Sequence, residues 1–258
     1  MPEGDTIYNA AKRIRSVLEG KLPDEIRTPH PRHALERWPQ RLSGRVVTGV
    51  DTHGKHLFLR FEGGLTLHSH LAMRGAWDVY PLGRRWRRAA RQAWLVITSG
   101  TYEVVQFGGP ALELMPDSRT RFDRRFAALG PDILADEFDS ARFLARLRAD
   151  DPTRGVGDVL LDQTTIAGIG NIWKAEGCWE GAIDPWRTLA ELSDAEAMAI
   201  VDGVRPRMRR SADHGWRAAE IQVYNRTRRP CPRCGTPIKA RGQGDANRTT
   251  FWCPGFQS

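Results

Sequence analysis

Residues 5–18 place Ile7, Ala10, Ala11, Ile14, Val17 and Leu18 at helical spacing, with Arg13 and Arg15 off the apolar face. Asp5 or Thr6 is the expected cap, and Gly20 the expected stop. From Val46 to Phe107 the period changes to two. Leu57, Leu59 and Phe61 alternate with His56, Phe58 and Arg60, and Leu65 and Leu67 alternate with Thr66 and His68. Trp94 to Thr98 and Glu103 to Phe107 read as two more strands across a Ser-Gly turn. Several short strands at near-regular spacing predict a sandwich or barrel. The segment at 129–139 reads as a linker. Helical spacing returns with Phe143, Leu144 and Leu147, then Val156, Val159, Leu160 and Leu161. Ser193 with Glu196 three residues on predicts a capped helix start. From Val223 the chain turns to Arg, Pro and Cys. The expected fold is α+β. A β-sandwich behind a helix spans 1–129, a helical domain 130–222, and a small metal-bound hairpin 223–258.

Charge narrows the partners. The net charge is +8 over 258 residues, which favours a polyanion without saying which. Only five of the basic residues are lysines: Lys12, Lys21, Lys55, Lys174 and Lys239. A lysine in a special place therefore stands out. Arg84, Arg85, Arg87, Arg88 and Arg91, around Trp86, form a basic cluster that reads equally as a solvated loop. No apolar run reaches the length of a membrane span, and the start lacks the pattern of a secretory signal, so a cytoplasmic location is expected.

Four motifs carry chemistry. The chain starts Met-Pro-Glu-Gly-Asp. Removal of Met1 would expose Pro2 as a secondary amine. A free α-amine has pKa ~7.7–8.0 against ~10.4 for lysine, so far more of it is unprotonated at neutral pH. Attack on an aldehyde carbon would give an iminium, an electron sink that acidifies the neighbouring C–H. Glu3 beside it could protonate a sugar ring oxygen or shuttle protons. An N-terminal proline also serves as a base in small tautomerases, but those chains are far shorter. In the second motif, Gly54 permits a tight turn with Lys55 at its tip, where a cation could hold a phosphate or protonate a leaving base. In the third, Gly168 and Gly170 bracket a turn before Asn171, a candidate cap, and the exposed amides suit a DNA phosphate. The fourth is Cys231 and Cys234 in a CxxC pair, with Cys253 following 19 positions after Cys234. This is zinc-ribbon spacing. The expected fourth ligand position holds Phe256, so the last corner falls to water or to a stray His or Asp.

Together these motifs resemble the formamidopyrimidine-glycosylase/endonuclease VIII family over essentially the whole chain, including His70-Leu-Ala-Met-Arg-Gly75 between the hairpin and the glycine turn. The Pro-Glu-Gly-Asp start is similar to the endonuclease VIII branch. The resemblance implies a bifunctional DNA glycosylase and abasic-site lyase of base excision repair. Pro2 would be the nucleophile at C1′, Glu3 the general acid and Lys55 the assisting cation. His70, Asn171 and Arg248 would contact phosphates, and Leu71 and Met73 would be the apolar residues that enter the helix where a base has left. Strand cleavage would follow by β- and δ-elimination. Oxidised pyrimidines come first as substrates and purine lesions second. The resemblance further implies structural Zn2+ on the three cysteines, damaged double-stranded DNA as partner and a monomer; single-stranded or bubble DNA stays open. Two features depart from the pattern: Thr6 stands where a second glutamate is frequent, and no Arg-Phe pair matches the loop that fills the gap opposite a lesion. Two rival readings are a non-catalytic DNA-damage binder with a defective finger, and a zinc-dependent regulator that binds sequence-specifically.

Overall fold

The computed structural model describes residues 2–258. They form two compact units: Pro2 with residues 7–127, and residues 3–6 with 128–258.

The first unit takes α1 (Gly4–Leu18) from Ile7 onward, with Ile7, Ile14 and Leu18 buried. The helix is already under way at Gly4, so neither Asp5 nor Thr6 caps it. Short β1 (Glu25–Arg27) and α2 (Trp38–Leu42) follow. Then come β2 (Val47–His53), β3 (His56–Phe61), β4 (Leu65–His70) and β5 (Ala76–Pro81). After them run β6 (Ala93–Ser99), β7 (Tyr102–Phe107) and β8 (Ala111–Pro116). Two antiparallel four-stranded sheets result, ordered β1-β6-β7-β5 and β2-β3-β4-β8. Leu57, Leu59 and Phe61 of one sheet share a core with Leu95, Ile97 and Val104 of the other and with α1. That is the expected sandwich. Strand β8 lies beyond the expected end of the strand region, and it completes the sheet by pairing with β4. Short α3 (Asp117–Phe122) and α4 (Arg124–Ala127) close the unit.

In the second unit the expected linker is not a loose tether. Leu129, Ile133 and Leu134 are buried, and Asp132 bridges to Ala167. A side chain at Gly130 would meet the Thr165 carbonyl at 2.5 Å. Helices α5 (Ser140–Arg148) and α6 (Val156–Val159) precede α7 (Asn171–Glu180), which is buried from Ile172 to Trp179. Burial around the whole circumference, including Lys174 and Glu176, marks a central helix. Helix α8 (Asp194–His214) starts with the predicted capping box of Ser193 and Glu196. Strands β9 (Lys239–Gln243) and β10 (Arg248–Trp252) form the C-terminal hairpin. That hairpin is not a separate body. Its Cys231, Ile238, Phe251 and Cys253 share one apolar cluster with Ala175 and Trp179 of α7. Among the described residues, no helix is long and apolar enough to cross a membrane.

Candidate active site

Pro2 is half-buried and stands two residues before the start of α1. Glu3 is 1% exposed. Its carboxylate accepts backbone N–H bonds from Gly170 (3.0 Å), Ile172 (2.9 Å) and Trp173 (3.2 Å), the opening amides of α7. These amides are the unsatisfied donors of a helix start, and the helix dipole favours an anion there. The glycines of both motifs follow from this approach. A side chain at Gly170 would meet the Glu3 carboxyl carbon at 2.3 Å, and one at Gly4 would meet the Gly168 backbone at 3.0 Å. Gly4 N–H donates to the Gly168 carbonyl at 2.9 Å, and Gly168 itself sits at φ +104°, where glycine is favoured.

This corrects the expectation for the glycine turn. The anion at the start of α7 is Glu3, not a DNA phosphate. Asn171 does not cap the helix either: Gly170 holds the cap position without a side-chain bond. The Asn171 amide instead donates to the Thr249 carbonyl of β10 at 2.7 Å. One turn on, Lys174 is fully buried and donates to the Thr250 hydroxyl, which donates to Gln243 at 2.8 Å. Burial lowers the Lys174 amine to about 8. Two side chains of α7 thus tie β10 to the helix that holds Glu3. Sequence reasoning missed Lys174. Its rarity and its place three residues after Asn171 were the available signals.

Lys55 stands where it was expected. Its hairpin is closed by the His53–His56 pair with Gly54 at φ +56°, and Lys55 is half-buried at the tip. His70 ends β4, and burial, then the Lys55 charge, lower its pKa. Beside it the His56 ring bonds His68 at 2.9 Å, and Phe126 packs on both. Burial, then His68, lowers His56 to about 3, and burial lowers His68 to about 4. These rings are neutral at physiological pH.

The apolar pair after β4 divides. Leu71 is 3% exposed and belongs to the sandwich core, so it cannot be a wedge. The chain reverses at Ala72 (φ +46°), and Met73 emerges 69% exposed. Arg248 is exposed as the first residue of β10, at the hairpin tip. In the basic cluster Trp86 is fastened to buried Glu103 by its indole N–H at 3.1 Å, and its neighbouring arginines are exposed. The Cys231, Cys234 and Cys253 sulfurs lie within 4.8 Å of one another. Three soft donors so spaced fit three corners of a zinc site, and the Phe256 ring offers no fourth.

Known proteins match this arrangement. Residues 1–110 match the formamidopyrimidine-DNA glycosylase N-terminal domain and residues 129–222 its H2TH domain. A probable endonuclease 8 2 of Streptomyces coelicolor is 38% identical over all of this chain and 94% of its own. The chain belongs to the formamidopyrimidine-DNA glycosylase/endonuclease VIII family. A second relative, the DNA-(apurinic or apyrimidinic site) lyase Nei2 of Mycolicibacterium smegmatis, is 34% identical over 100% of this chain and 99% of its own. Among solved structures, the Lactococcus lactis Fpg bound to DNA containing N7-benzyl-Fapy-dG superposes over the full length of both chains. Its TM-score is 0.84 at 23% identity, a likeness of fold.

Proposed function

We propose that this protein excises damaged bases from DNA and cleaves the strand at the abasic site. The observation that carries the reading is Glu3, buried and held by three amides next in the chain to Pro2. With Met1 removed, the Pro2 nitrogen attacks C1′ of the damaged nucleotide. The C1′–N bond breaks, and the base leaves with its electron pair and takes up a proton. The sugar ring opens to an iminium. Loss of a C2′ proton expels the 3′ phosphate, and a second elimination expels the 5′ phosphate.

Hydrogen bonds to a carboxylate favour its charged form, so Glu3 must first take up a proton before it acts as the general acid. It takes a proton from the Pro2 ammonium, which predominates at neutral pH for an amine of pKa ~7.7–8.0, and delivers it to the ring oxygen as the ring opens. Lys55 assists as the cation nearest in function to the leaving base and the phosphate. His70, Asn171 and Arg248 contact phosphates, and Met73 fills the space a base has left. An inserted side chain recovers part of the unstacking cost. Zinc on Cys231, Cys234 and Cys253 would be structural, fastening the hairpin that carries Arg248. We place oxidised pyrimidines ahead of purines because of the endonuclease VIII-type start, and damaged duplex DNA, met by a monomer in the cytoplasm, as the substrate.

Borohydride reduction of the protein on an abasic oligonucleotide tests the reading. A covalent adduct should form through residue 2 and disappear when Met1 is retained. Tight binding to damaged DNA with no adduct would favour the non-catalytic binder instead.

A further inference from the structure

Phe256 stands where the CxxC spacing would place a fourth sulfur, and the surrounding side chains are arranged around that loss. The Arg233 guanidinium lies 4.1 Å from the Trp179 ring centroid and 4.8 Å from that of Phe256. The two rings are 6.1 Å apart. Arg233 is fixed further by a 2.6 Å ion pair with Glu180, on the same helix as Trp179. The Trp179 indole N–H donates to the Cys231 sulfur at 3.4 Å. One aromatic side chain of α7 therefore meets both a ligand sulfur and the cation. On the other side of Phe256, the Gln257 side chain accepts from Cys253 N–H at 2.7 Å and donates to the Ile183 carbonyl at 2.9 Å. Ser258 N–H donates to the Ala182 carbonyl at 3.1 Å. A four-thiolate finger is tied together through its metal. Here the last three residues are tied to the helical unit by protein groups, and Cys231, Cys253 and Phe251 already share a core with α7.

We propose that the clasp of Arg233 between Trp179 and Phe256 takes over the fastening role of the missing fourth ligand, so that the finger stays folded with or without zinc on its three cysteines. The inference rests on reading the cysteine triad as a zinc site. Stacking of a guanidinium on aromatic faces is attractive, and most so when partly withdrawn from water. Three thiolates can still hold zinc, with one coordination position left to solvent. Zinc then binds at this hairpin but does not decide its fold, unlike fingers that unfold without metal.

The test uses the full-length protein stripped with a chelator, with metal loss confirmed by elemental analysis. The readouts are protease resistance of residues 223–258 and affinity for a duplex containing a stable abasic-site analogue. Stripping wild type should leave the hairpin resistant and shift affinity by less than about threefold, because the clasp is intact. Arg233→Gln should make the stripped hairpin protease-sensitive and weaken DNA binding by about tenfold or more, with zinc restoring most of it. Phe256→Cys should raise zinc affinity by about a hundredfold or more by supplying the fourth sulfur. Wild type that becomes protease-sensitive on stripping, to the same extent as Arg233→Gln, would overturn the proposal. So would a Phe256→Cys protein no better at holding zinc. Borohydride trapping on the same samples keeps the two readings apart, since it reports Pro2 chemistry whether or not the clasp holds.

Discussion

Two carboxylates in the second unit are buried by the same device and serve different ends. Glu3 accepts from the amides of Gly170, Ile172 and Trp173. Glu176, farther along α7, accepts from the amides of Gln222, Val223 and Tyr224 at 2.8–2.9 Å. Glu176 is also paired with buried Arg207 at 2.8 Å, and Arg207 reaches Glu180 at 2.9 Å. Glu176 thus pins the segment leading into the finger onto α7 and carries a cation that neutralises it. Glu3 is delivered by the chain terminus to a helix start, where backbone dipoles stabilise its charge. A carboxylate with a dedicated guanidinium is a structural anchor. One held by amide dipoles, and next in the chain to Pro2, is the proton-exchange partner proposed above.

Replacing each carboxylate by its amide should separate the two roles. Glu3→Gln removes the proton acceptor and turns one NH2 toward a backbone donor. Base excision should fall by about 10²–10⁴-fold, the range for loss of a positioned acid or base. Single-turnover cleavage of a damaged oligonucleotide measures this. Trapping on preformed abasic DNA should suffer less, because no base needs to leave. Glu176→Gln should do the reverse. It removes one of the two carboxylates paired with buried Arg207, leaving Glu180, and turns an NH2 toward backbone donors, for a loss of up to about 3–5 kcal/mol. Thermal unfolding reads that loss, and excision per folded molecule should stay near wild type. Equal loss of activity and stability in both variants would erase the distinction.

The comparison also marks what sequence patterns reveal. The Gly54-Lys55 tip was legible because a two-residue turn lies between alternating strands. The Ser193 cap was legible because its partner is three residues away. The destination of Glu3 was not, since its acceptor contacts lie at sequence separations of 167 to 170 residues. The same glycines that suggested a phosphate site are there to let Glu3 in. Leu71 was misread because the resemblance carries over a role without showing which apolar side chain is exposed: β4 stops at His70, the chain turns at Ala72, and Leu71 is left in the core. The segment at 129–139 reads as a linker because the strand pattern ends before it, yet its Leu129, Ile133 and Leu134 are buried. Phe256 was visible as a departure, but its link to Arg233 and Trp179 exists only in the fold.

The first unit offers a contrasting buried group. His68 is 1% exposed, and its Nδ1 has no hydrogen-bond partner. Burial without such support explains why its pKa falls to about 4 and that of its partner His56 to about 3. Both lie below the ~6.5 of an unfolded chain, so between these limits the unfolded state binds more protons. Stability from this pair is complete above about pH 6.5 and declines as pH falls toward 4, by at most about 1.4 kcal/mol per pH unit for each ring. Denaturant unfolding of His68→Gln at pH 7 and pH 5 should show a smaller pH dependence than wild type. An unchanged dependence would locate the acid sensitivity elsewhere.

Exposed residues give the sharpest version of the contrast, because there function can be removed without touching stability. Met73 is 69% exposed. Met73→Ala should leave the melting temperature unchanged and lower kcat/KM on a damaged duplex by about tenfold, the part of the unstacking cost its wedge recovers. On single-stranded substrate, where no stack is opened, the effect should vanish.

Arg248 should give the smallest and most diagnostic change. It stands at the tip of the β9–β10 hairpin, and its neighbours Thr249 and Thr250 are held by Asn171 and Lys174. The guanidinium is therefore presented on a strand fixed to the helix that holds Glu3. Loss of one phosphate contact should weaken binding roughly uniformly across sequences and reduce the slope of log affinity against log salt by about 1. Arg248→Ala should do this with stability and the chemical step intact. Thr250→Val removes the Lys174 partner while keeping Arg248. If β10 is positioned through that contact, Thr250→Val should lower the salt slope as Arg248→Ala does and destabilise the fold as well. A normal slope in Thr250→Val would mean that the hairpin carries Arg248 without help from the buried lysine.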